Sequence, residues 1–126
     1  MEALRIEPTD DSPLVILNRE TGQFEISGKS MPEDILEFYE PIQEWLDNYQ
    51  SDPLEKTIFN MNLEYFNTAS SKLLFHILMT LKRIHKEGHD VLIRWHSPED
   101  DEDIQESGQE YADMTGLDFE FVLYED

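Results

Sequence analysis

The longest regular pattern in the chain lies in "EYFNTASSKLLFHILMTLKRIHKEG" (Glu64–Gly88). There Leu73, Leu74, Ile77, Leu78, Leu81 and Ile84 recur with a period of about 3.6 residues. The pattern predicts an amphipathic helix. Gly88 ends it, and Lys82, Arg83 and Lys86 sit near the negative end of its dipole. Just before it, "TIFNMNLEYF" (Thr57–Phe66) alternates instead. Phe59, Met61 and Leu63 point one way, Asn60, Asn62 and Glu64 the other, as in a strand.

An earlier helix is predicted from Ile35, Leu36, Phe38, Tyr39, Ile42, Trp45, Leu46 and Tyr49. Ser30 has the position of its N-cap, with Glu33 at capping-box spacing and Pro32 in the first turn. Pro41 lacks an N–H and is expected to kink or divide this helix. "SDP" (Ser51–Pro53) ends it. Strand-like runs at Leu4–Glu7, "LVILN" (Leu14–Asn18) and "QFEIS" (Gln23–Ser27) precede it, with "PTDDSP" a loop and "RETG" a hairpin turn. "DVLIRW" (Asp90–Trp95) is the next strand. A third helix follows, with Ile104, Tyr111, Ala112 and Met114 inward, and "DFEFVLYE" (Asp118–Glu125) is a last strand. The order is β-β-β-α-β-α-β-α-β. It implies one α/β domain over residues 1–126, a mixed sheet with helices packed on it through right-handed crossovers.

Charge changes this picture more than composition does. There are 29 acids against nine bases, a net charge of −20. Such a surface is repelled by nucleic acid and by anionic lipid, so neither is expected as a partner. The excess either keeps the chain soluble or faces a basic partner. From Pro98 to Asp126 there is no base at all, whereas Lys72, Lys82, Arg83 and Lys86 share the long helix. No apolar run is long enough to span a bilayer. "MEALRIEPTDD" has no basic n-region and no apolar h-region, so a cytoplasmic protein is expected. The chain has no cysteine, which removes disulfides, thiolate catalysis and cysteine-zinc sites.

No catalytic motif is present: no GxGxxG, no phosphate loop, no HExxH and no nucleophile elbow. His85 and His89 are spaced for one helix face, but Gly88 falls between them, and no metal site is expected. The acidic run Glu99–Asp103 lacks the calcium-loop pattern and reads as a solvated loop or helix start. No cofactor is implied, and an enzyme is not expected.

The start of the long helix remains. Asn67, Thr68, Ser70 and Ser71 crowd one helix N-terminus, where a single cap would accept an orphan N–H and contribute about 1 kcal/mol. The same position suits a phosphate. Its charge of about −2 complements the helix dipole, while any partner docking there meets a dianion. Lys72 stands close enough to neutralise part of it. Periodicity does not rank Thr68, Ser70 and Ser71 as acceptors.

The junction "FNTASSK" between a strand and an amphipathic helix resembles the STAS-type fold of anti-anti-sigma factors, which carry a phosphorylatable hydroxyl there. The chain more closely resembles the SiaC family of regulatory phosphoproteins. The likeness rests on "LNRETGQFEISGKSMPED", "FYEPIQEWLDNY", "NMNLEYFNTASSK" and the acidic stretch before the last helix. It implies a switch at Thr68, set by a serine/threonine kinase of the anti-sigma-kinase type and reset by a PP2C-like phosphatase. It also implies that the unphosphorylated form binds and activates a diguanylate cyclase, promoting cyclic di-GMP signalling and biofilm or aggregation. Anti-anti-sigma relatives instead free a sigma factor by binding its inhibitor. Against that stands "NTAS" in place of their usual D-S-[ST]-G. The expected contact surface is Asn67, Thr68, Ala69, Ser70, Ser71 and Lys72. By fold geometry the helix Ser71–Lys86 is expected to expose Lys72, Thr80, Lys82 and Arg83. A small enzyme with a cleft at the strand ends, and an acidic mimic of nucleic acid, are the rival readings.

Overall fold

A computed structural model describes residues 1–125 of the chain. Six strands form one sheet in chain order: β1 (Leu4–Ile6), β2 (Leu14–Asn18), β3 (Gln23–Ser30), β4 (Lys56–Phe66), β5 (Asp90–Pro98) and β6 (Asp118–Tyr124). The first three pair antiparallel, and β3 through β6 pair in parallel. Each parallel crossover carries one helix: α1 (Ile35–Tyr49), α2 (Thr68–Lys86) and α3 (Glu102–Thr115). The mixed α/β architecture agrees with the expectation from sequence.

Strand alternation decides which face the helices cover. Phe24, Phe59, Ile93 and Phe119 are register partners across four strands. Together with Met61 and Trp95 they meet Tyr49 of α1, Leu74 and Ile77 of α2, and Tyr111 of α3 in one core. The opposite row, Glu25, Asn60, Arg94 and Glu120, has no helix over it. His96 lies on this open face and its Nε2 donates to Asn60 Oδ1 at 3.0 Å. Partial burial, and secondarily the Arg94 charge, push its pKa below the ordinary 6.5. The folded state therefore binds this proton less readily than the unfolded chain. Its contribution is complete above pH 6.5 and is lost as pH falls from there through the folded value. In urea titrations at pH 7.5 and 5.5, His96→Gln is expected to lose less stability on acidification than the wild type.

Four expectations about α1 and α3 need correction. Ser30 is not a helix cap. It is the last residue of β3, fully buried and paired in register with Phe66, and Asp34 caps α1 through Glu37 N. Pro41 does not divide the helix, which runs unbroken from Ile35 to Tyr49. Pro41 and Glu37, whose carbonyl loses its partner, are both exposed, so water can take the place of the missing N–H. Leu36 and Met114 point outward, at 65% and 55% exposure. The position expected of Met114 is filled by Gly108 and Thr115, both buried.

Candidate functional site

The β4–α2 junction answers why four polar side chains stand together. Asn67 is the N-cap: extended in backbone, its side chain accepts from Ser70 N at 2.9 Å and its carbonyl accepts from Ser71 N. Ser70 is turned into the core and fully buried. Its Oγ donates to the Ser30 carbonyl at 2.8 Å and accepts from Ser30 Oγ at 2.8 Å. Ser30 Oγ has then used its proton, so at 2.5 Å the Tyr39 hydroxyl is the donor to it. The relay Tyr39–Ser30–Ser70 thus ties α1 and the end of β3 to the first turn of α2. Burial raises the Tyr39 pKa, against the opposing effect of the two serine hydroxyls.

Ser71 is half-buried and its Oγ donates back to the Thr68 carbonyl at 2.6 Å. From α3, Tyr111 donates its hydroxyl to the Ser71 carbonyl at 2.8 Å. Burial is also the main cause of the raised Tyr111 pKa. Thr68 is different. It is the first residue of α2, exposed, and its hydroxyl makes no hydrogen bond among the described residues. Ala69 and Lys72 are exposed beside it. The structure therefore brings Asn67, Thr68, Ala69, Ser71 and Lys72 to one surface and takes Ser70 away from it. Thr80 is likewise buried, not exposed as expected, because Gln43 and Arg83 donate to its Oγ1 at 2.7 and 3.0 Å. Lys82 is partly covered, and Arg83 is exposed.

Burial of Ser70 has a measurable consequence. Ser70→Ala leaves the Ser30 hydroxyl without its acceptor and is expected to cost about 1–3 kcal/mol. Ser70→Asp places a carboxylate in the core and is expected to leave little folded protein. Thermal melts beside Thr68→Ala, expected to melt as the wild type, check both. A fully folded Ser70→Asp would show that the relay is not structural.

Two grooves flank the junction. Between α2 and α3, about 480 Å³ is lined by Phe66, Phe75, Tyr111 and Met114 with Lys72 and Glu110. Between α1 and α2, about 340 Å³ lies over Leu36, Tyr39 and Leu73. Sequence reasoning missed Ser30 and Tyr39 as members of the site, and missed Leu36 at the surface. A signal for Leu36 exists: it heads the polar stripe Glu40, Glu44, Asp47, outside the apolar one. Elsewhere, His85 Nδ1 lies 3.1 Å from the His89 carbonyl, an arrangement that closes the end of α2. Glu99–Asp103 leads into α3, which Asp101 caps through Ile104 N.

An open mixed sheet of six strands, with three helices on one face, defines a small mixed α/β domain that presents an exposed, uncommitted hydroxyl at the first turn of the helix after β4. Known proteins narrow this class. The model of the SiaC family of regulatory phosphoproteins matches residues 6–124, and the chain belongs to that family. It is similar to the crystal structure of apo-SiaC from Pseudomonas aeruginosa, with a TM-score of 0.88 at 26% identity over 97% of this chain and 99% of that one. It is also similar to P. aeruginosa SiaC in complex with the diguanylate cyclase SiaD, whose activator that SiaC is. Here the TM-score is 0.90 at 26% identity over 96% and 99% of the two chains. An uncharacterized protein of P. aeruginosa strain UCBPP-PA14 is 25% identical over the full length of both chains.

Proposed function

We propose that this chain is a non-enzymatic partner-switching regulator whose unphosphorylated form binds and activates a diguanylate cyclase. Activation raises cyclic di-GMP and promotes biofilm or aggregation. The observation that carries the reading is the near-complete structural likeness to a SiaC bound to the cyclase that it activates. Thr68 is the phosphorylation site in this reading, ahead of Ser70 and Ser71. Its exposed hydroxyl has no competing bond among the described residues, whereas Ser70 is buried and Ser71 is committed to a carbonyl. A serine/threonine kinase of the anti-sigma-kinase type adds the phosphate and a PP2C-like phosphatase removes it, in the cytoplasm. The helix dipole and Lys72 let the fold accept the dianion without rearrangement. No helix among the described residues is long and apolar enough to cross a membrane.

The experiment is phosphosite mapping by mass spectrometry on protein from its own host, in growing and in attached cells, followed by binding to the host's purified diguanylate cyclase. The expected result is a phosphate on Thr68 whose occupancy changes with growth state, and cyclase binding by the bare form alone. A chain bare in every condition would reduce Thr68 to a helix-start residue and overturn the switch.

A further inference from the structure

We infer that the free edge of β6 is a self-association surface. Its occupant is β6 of a second copy of this chain, paired antiparallel about a two-fold axis at Phe121, so that the two sheets run on as one. The inference does not depend on the cyclase-binding reading.

The two edges of the sheet are built differently. β1 closes one edge with only three residues, and the ion pair between Arg5 and Glu7 puts charge on it. β6 closes the other with seven, Asp118–Tyr124. It has no proline, no base and no bulge against β5, the usual means of keeping an edge from pairing. Its backbone is also turned outward at the right residues. The Tyr124 carbonyl accepts from Glu99 N at 2.9 Å, so Tyr124 directs its backbone groups toward β5. Successive residues of a strand direct theirs to alternate sides. Phe119, Phe121 and Leu123 therefore point N–H and C=O away from β5, where no backbone partner meets them among the described residues. Their side chains share the helix-bearing face. Phe119 packs against Trp95, but Phe121 and Leu123 are 39% and 54% exposed, so α3 leaves them largely uncovered.

The sequence of β6 complements itself. Antiparallel pairing over the whole strand sets Phe121 opposite Phe121 of the second copy, and Phe119 opposite Leu123. These are the residues with outward backbone groups, so each pair exchanges both hydrogen bonds. The same pairs join apolar side chains across the seam. On the open face Glu120 meets Val122 and Asp118 meets Tyr124, so no acid opposes an acid. Arg94 Nε, 3.5 Å from Glu120 Oε1, offsets the acid nearer the axis. Other registers are worse. Sliding the strands by two residues one way opposes Glu120 to its own copy, and the other way opposes Phe119 to Glu125.

A strand pair of this length buries less than about 1,000 Å², so the dimer is weak and depends on concentration. Its salt dependence has a distinctive sign. Each copy carries a net charge of −20, so salt screens their repulsion and strengthens the pairing. A basic partner on the same edge would show the reverse. Because β5 separates β6 from β4, pairing leaves the β4–α2 junction open.

The test is sedimentation velocity on the full chain, from micromolar to millimolar, at low and at high salt, with circular dichroism melts of each variant. The wild type is expected to dimerise, about threefold or more tightly at high salt. Leu123→Pro removes an N–H that the β5 ladder does not use, so the fold is kept. It is expected to weaken dimerisation by about tenfold or more. Phe121→Glu sets two carboxylates face to face at the axis and is expected to do the same. The chain has no cysteine, so single cysteines report the register. At the axis the Cα atoms stand about 5.5 Å apart, within disulfide reach, and Phe121→Cys is expected to cross-link on mild oxidation. Leu123→Cys is expected not to, because its two copies lie about 13 Å apart along the seam. Where a proline or glutamate variant melts early, the cysteine pair decides. A wild type monomeric at every concentration and salt overturns the inference, as does a dimer that weakens as salt rises. So does a folded Leu123→Pro or Phe121→Glu that dimerises as the wild type, or a Leu123→Cys that cross-links as readily as Phe121→Cys.

Discussion

Thr68→Asp is expected to bind the diguanylate cyclase at least about tenfold more weakly than the wild type, and a phosphate on Thr68 to bind more weakly still. A charge stripped of water at an interface without a partner costs about 2 kcal/mol or more, a factor of roughly thirty. Aspartate carries about half of a phosphate's charge and less bulk, so it should produce only part of that loss. The fold should not suffer. Thr68 makes no side-chain hydrogen bond among the described residues, and an acid at the first helical position gains about 0.3–1 kcal/mol from the dipole. Binding and stability thus move apart, which separates a switch from mere damage. Thr68→Ala should bind as the wild type and resist the kinase. Titration calorimetry, cyclase activity and thermal melts on the same three proteins measure all of this. An aspartate variant that binds as tightly as the wild type would sink the blocking mechanism.

The residues that made this site readable from sequence are those with short-range causes. The stripe on α2 and the alternation in β4 follow from periods that one segment sets by itself, and both appeared where expected. The crowd of polar residues between them marked a junction for the same reason. What sequence could not do was divide the work among them. Ser70 and Ser71 are neighbours with the same hydroxyl, yet one bonds to a β3 residue forty positions away and the other to its own helix. Only the tertiary arrangement distinguishes them, and it leaves Thr68 uncommitted. Ser30 failed in the same way. Ser30 and Glu33 imitate a capping box, but parallel pairing with β4 extends β3 through Ser30 and moves the helix start to Asp34. Leu36 was assigned to the core because it is apolar, although its helical phase places it with the acids of α1.

Gly108→Ala is expected to destabilise the protein, although by helix propensity alone it should stabilise it. Gly108 sits in the interior of α3, where alanine is ordinarily better by about 1 kcal/mol. A Cβ there, however, would stand 2.5 Å from both Cδ1 and Nε1 of Trp95. The indole cannot easily yield. It is about 1% exposed, its Nε1 donates to the Ile104 carbonyl at 2.9 Å, and Phe66, Tyr111 and Phe119 surround it. Overpacking of this kind costs about 1–3 kcal/mol or more. A net loss of about 2 kcal/mol in a chain of this size lowers the melting temperature by roughly 6–10 °C. The companion variant Trp95→Phe should also be less stable, because it leaves a void and removes the indole's hydrogen bond to the Ile104 carbonyl. In the double variant the alanine methyl enters that void, so the two losses should sum to less than their separate values. The effect reaches the site, because Tyr111 lies one turn beyond Gly108 and its hydroxyl holds the Ser71 carbonyl. Displacing α3 therefore loosens the first turn of α2, and Gly108→Ala should weaken cyclase binding even at temperatures where the chain remains folded. Melts that show Gly108→Ala more stable than the wild type would mean that α3 does not approach β5 this closely.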